Sequence, residues 1–217
     1  MILSKPRKSI IEGINQSLDL LRSEIGIESI IAEINNEHKR EIEISINRAF
    51  YFCLRDIFLP QYNIVPIQEA PIQPREGMSF TTAERKKPDF SLILNDDLNK
   101  GIAFHIECKR LESSTKYNKK YVKEGIYRFT TEEDCYGIDY SSGVMVGYIE
   151  DMELEDILMQ VNQAIDHQLK IDNLIKTTDW QEKSTTHLNH SFNRSFKESE
   201  FTLHHLWVDL RGCYPRS

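Results

Sequence analysis

A mixed α/β fold, with a sheet held between helices and a helical segment in front, is what the order of apolar patterns predicts. Two observations carry it. A long run at helical period, 37–59, is followed by three short apolar runs at 62–68, 88–94 and 102–109. Then come a basic helical stretch, a continuous apolar run at 143–149, a second amphipathic helix and a last apolar run at 201–210.

Each element has its own reason. Residues 8–23 repeat apolar side chains at Ile10, Ile11, Ile14, Leu18 and Leu21, a helical period, with Gly26 as the expected stop. Residues 28–35 read as a short helix. The helix over 37–59 places Ile42, Ile46, Ala49, Phe50, Cys53, Leu54 and Ile57 on one side, with Pro60 just past its end. Pro66 makes the strand at 62–68 an edge or bulged strand, because proline cannot donate to a ladder. Residues 73–87 are polar and read as a loop. The turn-rich segment 95–101 predicts a hairpin between 88–94 and 102–109. Residues 115–129 read as a helix, 143–149 as a buried strand, and 152–170 as a helix with Leu154, Ile157, Leu158, Val161 and Ile165 inward. Residues 177–199, rich in Ser, Thr, Asn and His, read as a long loop, and 201–210 as the final strand. The chain divides into an N-terminal helical cap, 1–36, and a main unit, 37–217, forming one compact body.

Composition bounds the function. The 217 residues suffice for a sizeable core, and 40% apolar with 28% charged is the balance of a globular chain. No stretch approaches the 18 apolar residues of a membrane span, and the N-terminus lacks the apolar region of a secretory leader. The four cysteines are scattered with no C-x-x-C pair, which argues against a cysteine zinc site and fits a reduced, cytoplasmic compartment. A net charge of −7 argues against a generally basic DNA-coating protein, though not against a nucleic-acid enzyme with a local positive face. The charge is uneven, however. Residues 109–128 hold seven Lys or Arg against two acids, whereas 129–160 hold nine acids and no base. Such a split is read either as a solvated basic helix followed by an acidic loop or as a hint of an anionic partner on one face.

The chemistry gathers at Pro88-Asp89 and at Glu107-Cys108-Lys109. Alternate residues of a strand share a face, so Glu107 and Lys109 point one way while Ile106 and Cys108 point into the core. Antiparallel pairing through the predicted hairpin brings Asp89 beside that charged end. Two carboxylates with water and a phosphate oxygen suit Mg²⁺, a hard cation that keeps several waters. Such a metal acidifies bound water, and a neighbouring lysine can orient or deprotonate it, so phosphodiester hydrolysis is the reaction this trio supports best. An isolated E-x-K is more often a plain cross-strand charge pair. Here its strand is otherwise apolar, Pro-Asp precedes it at hairpin distance, and a basic helix follows.

These residues, Lys87-Pro88-Asp89-Phe90 and His105-Ile106-Glu107-Cys108-Lys109-Arg110-Leu111, resemble the active-site signature of the PD-(D/E)xK nuclease superfamily. The resemblance implies the restriction-endonuclease-like core, αβββαβ, matching the order read for 37–149. It implies metal ligation by Asp89 and Glu107, water activation by Lys109, and Mg²⁺ as cofactor with Mn²⁺ as its substitute. Many members add a glutamate from the first core helix. Glu43 fits that pattern best, ahead of Glu37 and Glu41. On the helix after the catalytic strand, Arg128 is the expected specific phosphate contact, and Lys116, Lys119, Lys120 and Lys123 the non-specific backbone contacts. Tyr117 and Tyr121 are read as helix packing before base stacking, and Gln160 and Gln163 as a polar helix face.

Other residues are set aside. His204 and His205 are adjacent in a strand and face opposite ways. His105 shares the face of Glu107 and is read as a hydrogen-bonded structural histidine. No Gly-rich phosphate loop and no nucleophile elbow occur. The reading is therefore a Mg²⁺-dependent endonuclease. The resemblance implies DNA before RNA, a role in bacterial defence against foreign DNA, and an activating or targeting protein partner, since no separate target-recognition domain is visible. Homodimers are common in such folds, though no sequence feature marks one. The competing class is a non-catalytic nucleic-acid-binding or assembly subunit on the same fold.

Overall fold

A computed structural model describes residues 6–36, 42–69, 87–94, 103–131, 136, 140–177, 185–194 and 197–214. The chain is an α/β protein: N-terminal helices, then a seven-stranded mixed sheet with interspersed helices. Helices α1 (Pro6–Arg22), α2 (Glu24–Asn36) and α3 (Ile42–Tyr62) lead into strands β1 (Ile64–Gln68), β2 (Phe90–Leu94) and β3 (Phe104–Leu111). A continuous helical stretch follows, made of α4 (Thr115–Lys120), a π-helical segment (Tyr121–Ile126) and α5 (Tyr127–Thr130). Then come β4 (Ser142–Ile149), α6 (Leu154–Gln168), the short β5 (Ile175–Lys176), β6 (Thr185–Arg194) and β7 (Lys197–Asp209).

The strand order is β1-β2-β3-β4-β7-β6-β5. β1, β2 and β3 run antiparallel in turn, β3–β4 and β4–β7 are parallel, and β6 returns antiparallel beside β7. β1 is an edge strand, which is where Pro66 can sit. β4 is buried along its whole length, as its unbroken apolar sequence requires of a strand covered on both faces. Alternate residues feed two cores. Ile106, Cys108, Val144, Val146 and Leu206 pack against α1–α3, while Leu111, Met145, Leu203 and Trp207 pack against the α4–α5 stretch and α6.

Four local expectations are corrected. Gly26 lies inside α2, and the chain breaks earlier, at Ser23, whose Oγ accepts from the Gly26 N–H (3.3 Å). Glycine is needed there because a Cβ would come within 2.2 Å of the Leu21 carbonyl oxygen. Pro60 falls within the last turn of α3, and the helix ends at Asn63, which takes a left-handed conformation (φ 53°). The helix at 115–129 carries a π-helical segment that apolar spacing does not reveal.

The fourth correction is the largest: most of 177–199 is not a loop. Thr185–Arg194 form β6, a ten-residue strand paired with β7. Its polar residues misled because they alternate with buried ones. Leu188, His190 and Phe192 point into the core, while Asn189 and Asn193 face out. The turn at 95–101 and nearly all of the loop at 73–87 lie outside the described residues.

If β6 is part of the core, Leu188→Ala should lower the free energy of unfolding in urea by about 2–5 kcal/mol. A loop position would change it by no more than about 0.5 kcal/mol.

Candidate active site

The site forms where β3 outruns its neighbour. The β2–β3 ladder ends at Phe90↔Ile106, yet β3 continues to Leu111. The N–H groups of Cys108 and Arg110 therefore face an open edge with no strand to accept them. Two carboxylates do so instead. Asp89 Oδ2 accepts from the Cys108 N–H (2.7 Å), and Glu43 Oε2 from the Arg110 N–H (3.2 Å). Satisfying those orphan donors is what brings both acids to the charged end of β3.

Lys109 lies at the centre. Its Nζ is 2.8 Å from Glu107 Oε1, 3.3 Å from Glu43 Oε1 and 3.6 Å from Asp89 Oδ2, and it donates to the Cys108 carbonyl oxygen at 2.7 Å. Three carboxylates from three elements thus converge on one ammonium. Burial alone would pull the Lys109 pKa down. The charges of Asp89, Glu107 and Glu43 outweigh it and hold the group well above its usual value. In this arrangement Lys109 is held in its charged form. Glu107, fully buried, is pushed up to about 8 by burial and by the Asp89 charge, against the pull of Lys109 and Arg128. Glu43 is raised by burial and by Asp89, with Lys109 opposing.

Several supporting residues carry no sequence motif. Asn47, one helical turn beyond Glu43, donates from Nδ2 to Asp89 Oδ1 (3.1 Å) and accepts at Oδ1 from the Tyr148 hydroxyl (2.8 Å). Tyr148 is fully buried, so this relay fixes Asp89 against the sheet. Gly125 lets the helical stretch lie close over the site: a Cβ there would be 2.4 Å from Met145 Cε and 3.7 Å from Lys109 Cγ. Spacing could have flagged Asn47 as the residue four past Glu43. Nothing in the sequence assigns Tyr148 its role of bracing Asn47.

The remaining candidates divide. Lys116, Lys119 and Lys123 are exposed on the helical stretch. Lys120 and Tyr117 line a cleft of about 100 Å³ with Glu43, Lys109, Arg110 and Glu124. The Arg110 guanidinium lies 4.6 Å from the centre of the Tyr117 ring. Tyr121 is core: its hydroxyl meets His205 Nδ1 (2.7 Å) and accepts from Trp207 Nε1 (3.0 Å). Gln160 Oε1 accepts from Asn118 Nδ2 (2.8 Å), tying α4 to α6, and Gln163 is exposed. Arg128, expected at the nucleic-acid face, instead turns inward, with NH1 2.7 Å from Glu107 Oε1. Glu107 is fully buried and shares its other counter-charge, Lys109, with Glu43 and Asp89, which is the physical reason. Glu37 and Glu41 lie outside the described residues.

Does the donor set suit a divalent cation? Among the described residues no group of three His, Cys, Asp or Glu side chains is spaced to hold a metal ion, and the Lys109 ammonium lies within 3.6 Å of an oxygen of each of the three carboxylates. The chemistry still fits. Three carboxylates face two cations, Lys109 and Arg128, and the buried Glu107 Oε2 has no hydrogen-bond partner. An oxygen-only donor set with one unused buried oxygen is what a hard cation takes. Comparison with known proteins found no matching family model, curated sequence or solved structure.

His105, on the Glu107 face, contacts Ser91 Oγ through Nδ1 (3.1 Å), and burial holds its pKa down to about 4 from 6.5. Between those values the unfolded chain binds a proton that the folded chain refuses, so stability is lost as pH falls from 6.5 toward 4. His105→Gln should remove that loss. The stability advantage of the parent over the variant should shrink by about 3 kcal/mol between pH 7 and pH 4 in urea melts at stepped pH.

Proposed function

We propose that the chain is a metal-dependent nuclease of the PD-(D/E)xK type that hydrolyses phosphodiester bonds, with DNA as the substrate. The observation that carries the reading is the convergence of Glu43, Asp89 and Glu107 on Lys109 at the open edge of β3. The element order supports it: α3, an antiparallel β1–β2–β3 meander, the α4–α5 stretch, then β4 parallel to β3. That is the αβββαβ order of the restriction-endonuclease-like core.

Asp89 and Glu107, with Glu43, would hold a hard divalent cation, Mg²⁺ with Mn²⁺ as substitute. When bound, it supplies an acidified water and neutralises charge on the phosphate oxygens. Lys109, kept cationic, donates to the incoming water and to a phosphate oxygen. Asn47 and the Cys108 N–H hold Asp89 still, so the reacting groups meet without reorganisation. The water oxygen bonds to phosphorus, one P–O ester bond breaks, the leaving oxygen takes a proton, and the second proton passes to solvent. Lys116, Lys119, Lys120 and Lys123 contact the backbone without reading sequence. Low sequence specificity, or delivery by a partner protein, belongs to the same reading. Cytoplasmic defence against foreign DNA is the setting this suits.

Plasmid incubated with the parent protein and Mg²⁺ should be nicked or degraded, and chelation of the metal should stop it. Lys109→Ala and Asp89→Ala should each cut the rate by about 100-fold or more. Cleavage at parental rate in both variants would end the proposal. Plasmid binding with no cleavage by any form would favour the non-catalytic nucleic-acid-binding subunit.

A further inference from the structure

We propose that Arg128 and Tyr136 form a positioning pair that fixes the Glu107 carboxylate for a divalent cation, and that Arg128 is not a nucleic-acid contact. The inference rests on the nuclease reading of the site and goes further into it.

Glu107 has no exposed surface, and its two oxygens are treated differently. Oε1 accepts from Arg128 NH1 at 2.7 Å and lies 2.8 Å from Lys109 Nζ, whereas Oε2 is buried without a hydrogen-bond partner. Two charged donors on one oxygen fix the rotation of the carboxylate. The oxygen left over is the one a cation would take.

Arg128 is itself held in place. Its NH1 also donates to the Tyr136 hydroxyl (3.2 Å), its guanidinium lies 5.6 Å from the centre of the Tyr136 ring, and its carbonyl oxygen accepts from the Tyr136 N–H (3.2 Å). Tyr136 is fully buried, with its ring edge-on to Phe129 (5.5 Å) and 5.7 Å from His105. The Arg128 side chain is 18% exposed, and its Nε is buried without a partner. An arginine that grips phosphates presents its fork to solvent. This one is seated on a buried carboxylate by an aromatic wall. Swinging it outward would strip Glu107 of one of its two counter-charges in a place water does not reach.

Hydrogen-bonding partners of metal ligands typically alter metal affinity by 10–100-fold when removed. The test titrates Mn²⁺ alone onto the full chain by calorimetry, and separately measures binding of a short DNA oligonucleotide in a chelator. Arg128→Ala should weaken Mn²⁺ about 10–100-fold and leave oligonucleotide affinity within about twofold. Arg128→Lys, which keeps charge and donor, should recover at least half of that loss on a logarithmic scale. Tyr136→Phe should weaken Mn²⁺ by a smaller factor without lowering the melting temperature by more than a few degrees. If Arg128→Ala does not fold, Arg128→Lys and Tyr136→Phe carry the test. Unchanged or tighter Mn²⁺ binding in the Arg128 and Tyr136 variants overturns the inference, as does a loss confined to oligonucleotide binding. A parent chain that binds no Mn²⁺ sinks the nuclease reading itself, and the inference with it.

Discussion

Lys109 carries a full charge in a nearly dry position, and three carboxylates from separate parts of the chain close around it. Much of the surrounding structure serves that contact. A lone ammonium so buried would lose its proton or drive the strand apart. Three carboxylates without it would repel one another and protonate, as the raised values of Glu107 and Glu43 already indicate. The acids and the base therefore need each other to be buried.

The scaffold meets this demand through strand lengths. β2 starts too late to pair with the end of β3, so two backbone donors are left facing an empty lane. The carboxylates of Asp89 and Glu43 fill that lane, and Asn47 and Tyr148 brace it from α3 and β4. On the opposite face Gly125 removes the side chain that would hold the helical stretch away from Met145 and Lys109. The same stretch then delivers Arg128 to Glu107. The two cores on either side of the sheet keep these layers rigid, so small errors in side-chain placement have little room to arise.

Farther from the site, the β6–β7 hairpin shows a different economy. It places His190 and His205 among apolar side chains, where burial holds both below their ordinary pKa. His205 is tied to Tyr121, and Tyr121 to Trp207, which links the π-helical segment to the sheet beneath it. A buried polar network of this kind specifies which side chains must meet, something apolar packing alone does loosely.

Periodicity was enough to place the long helices, the antiparallel run into β3, the buried β4 and the pairing of Asp89 with Glu107 and Lys109. Each is a local pattern with a fixed geometric consequence: a 3.6-residue or two-residue repeat sets which side chains share a face. The β6 strand was misread because its polar residues are the outward half of an alternation whose inward half includes a histidine. The inward turn of Arg128 was hidden for a related reason. A cation in a basic run looks solvent-directed until the neighbour that needs its charge is known. The partner of Arg128 is 21 residues away and that of Asp89 is 42, at Asn47. No repeat along the chain encodes such distances. Composition and spacing settled which residues could do chemistry, while packing in three dimensions settled which of them meet and which hold the others in place, because desolvation and counter-charge act through space.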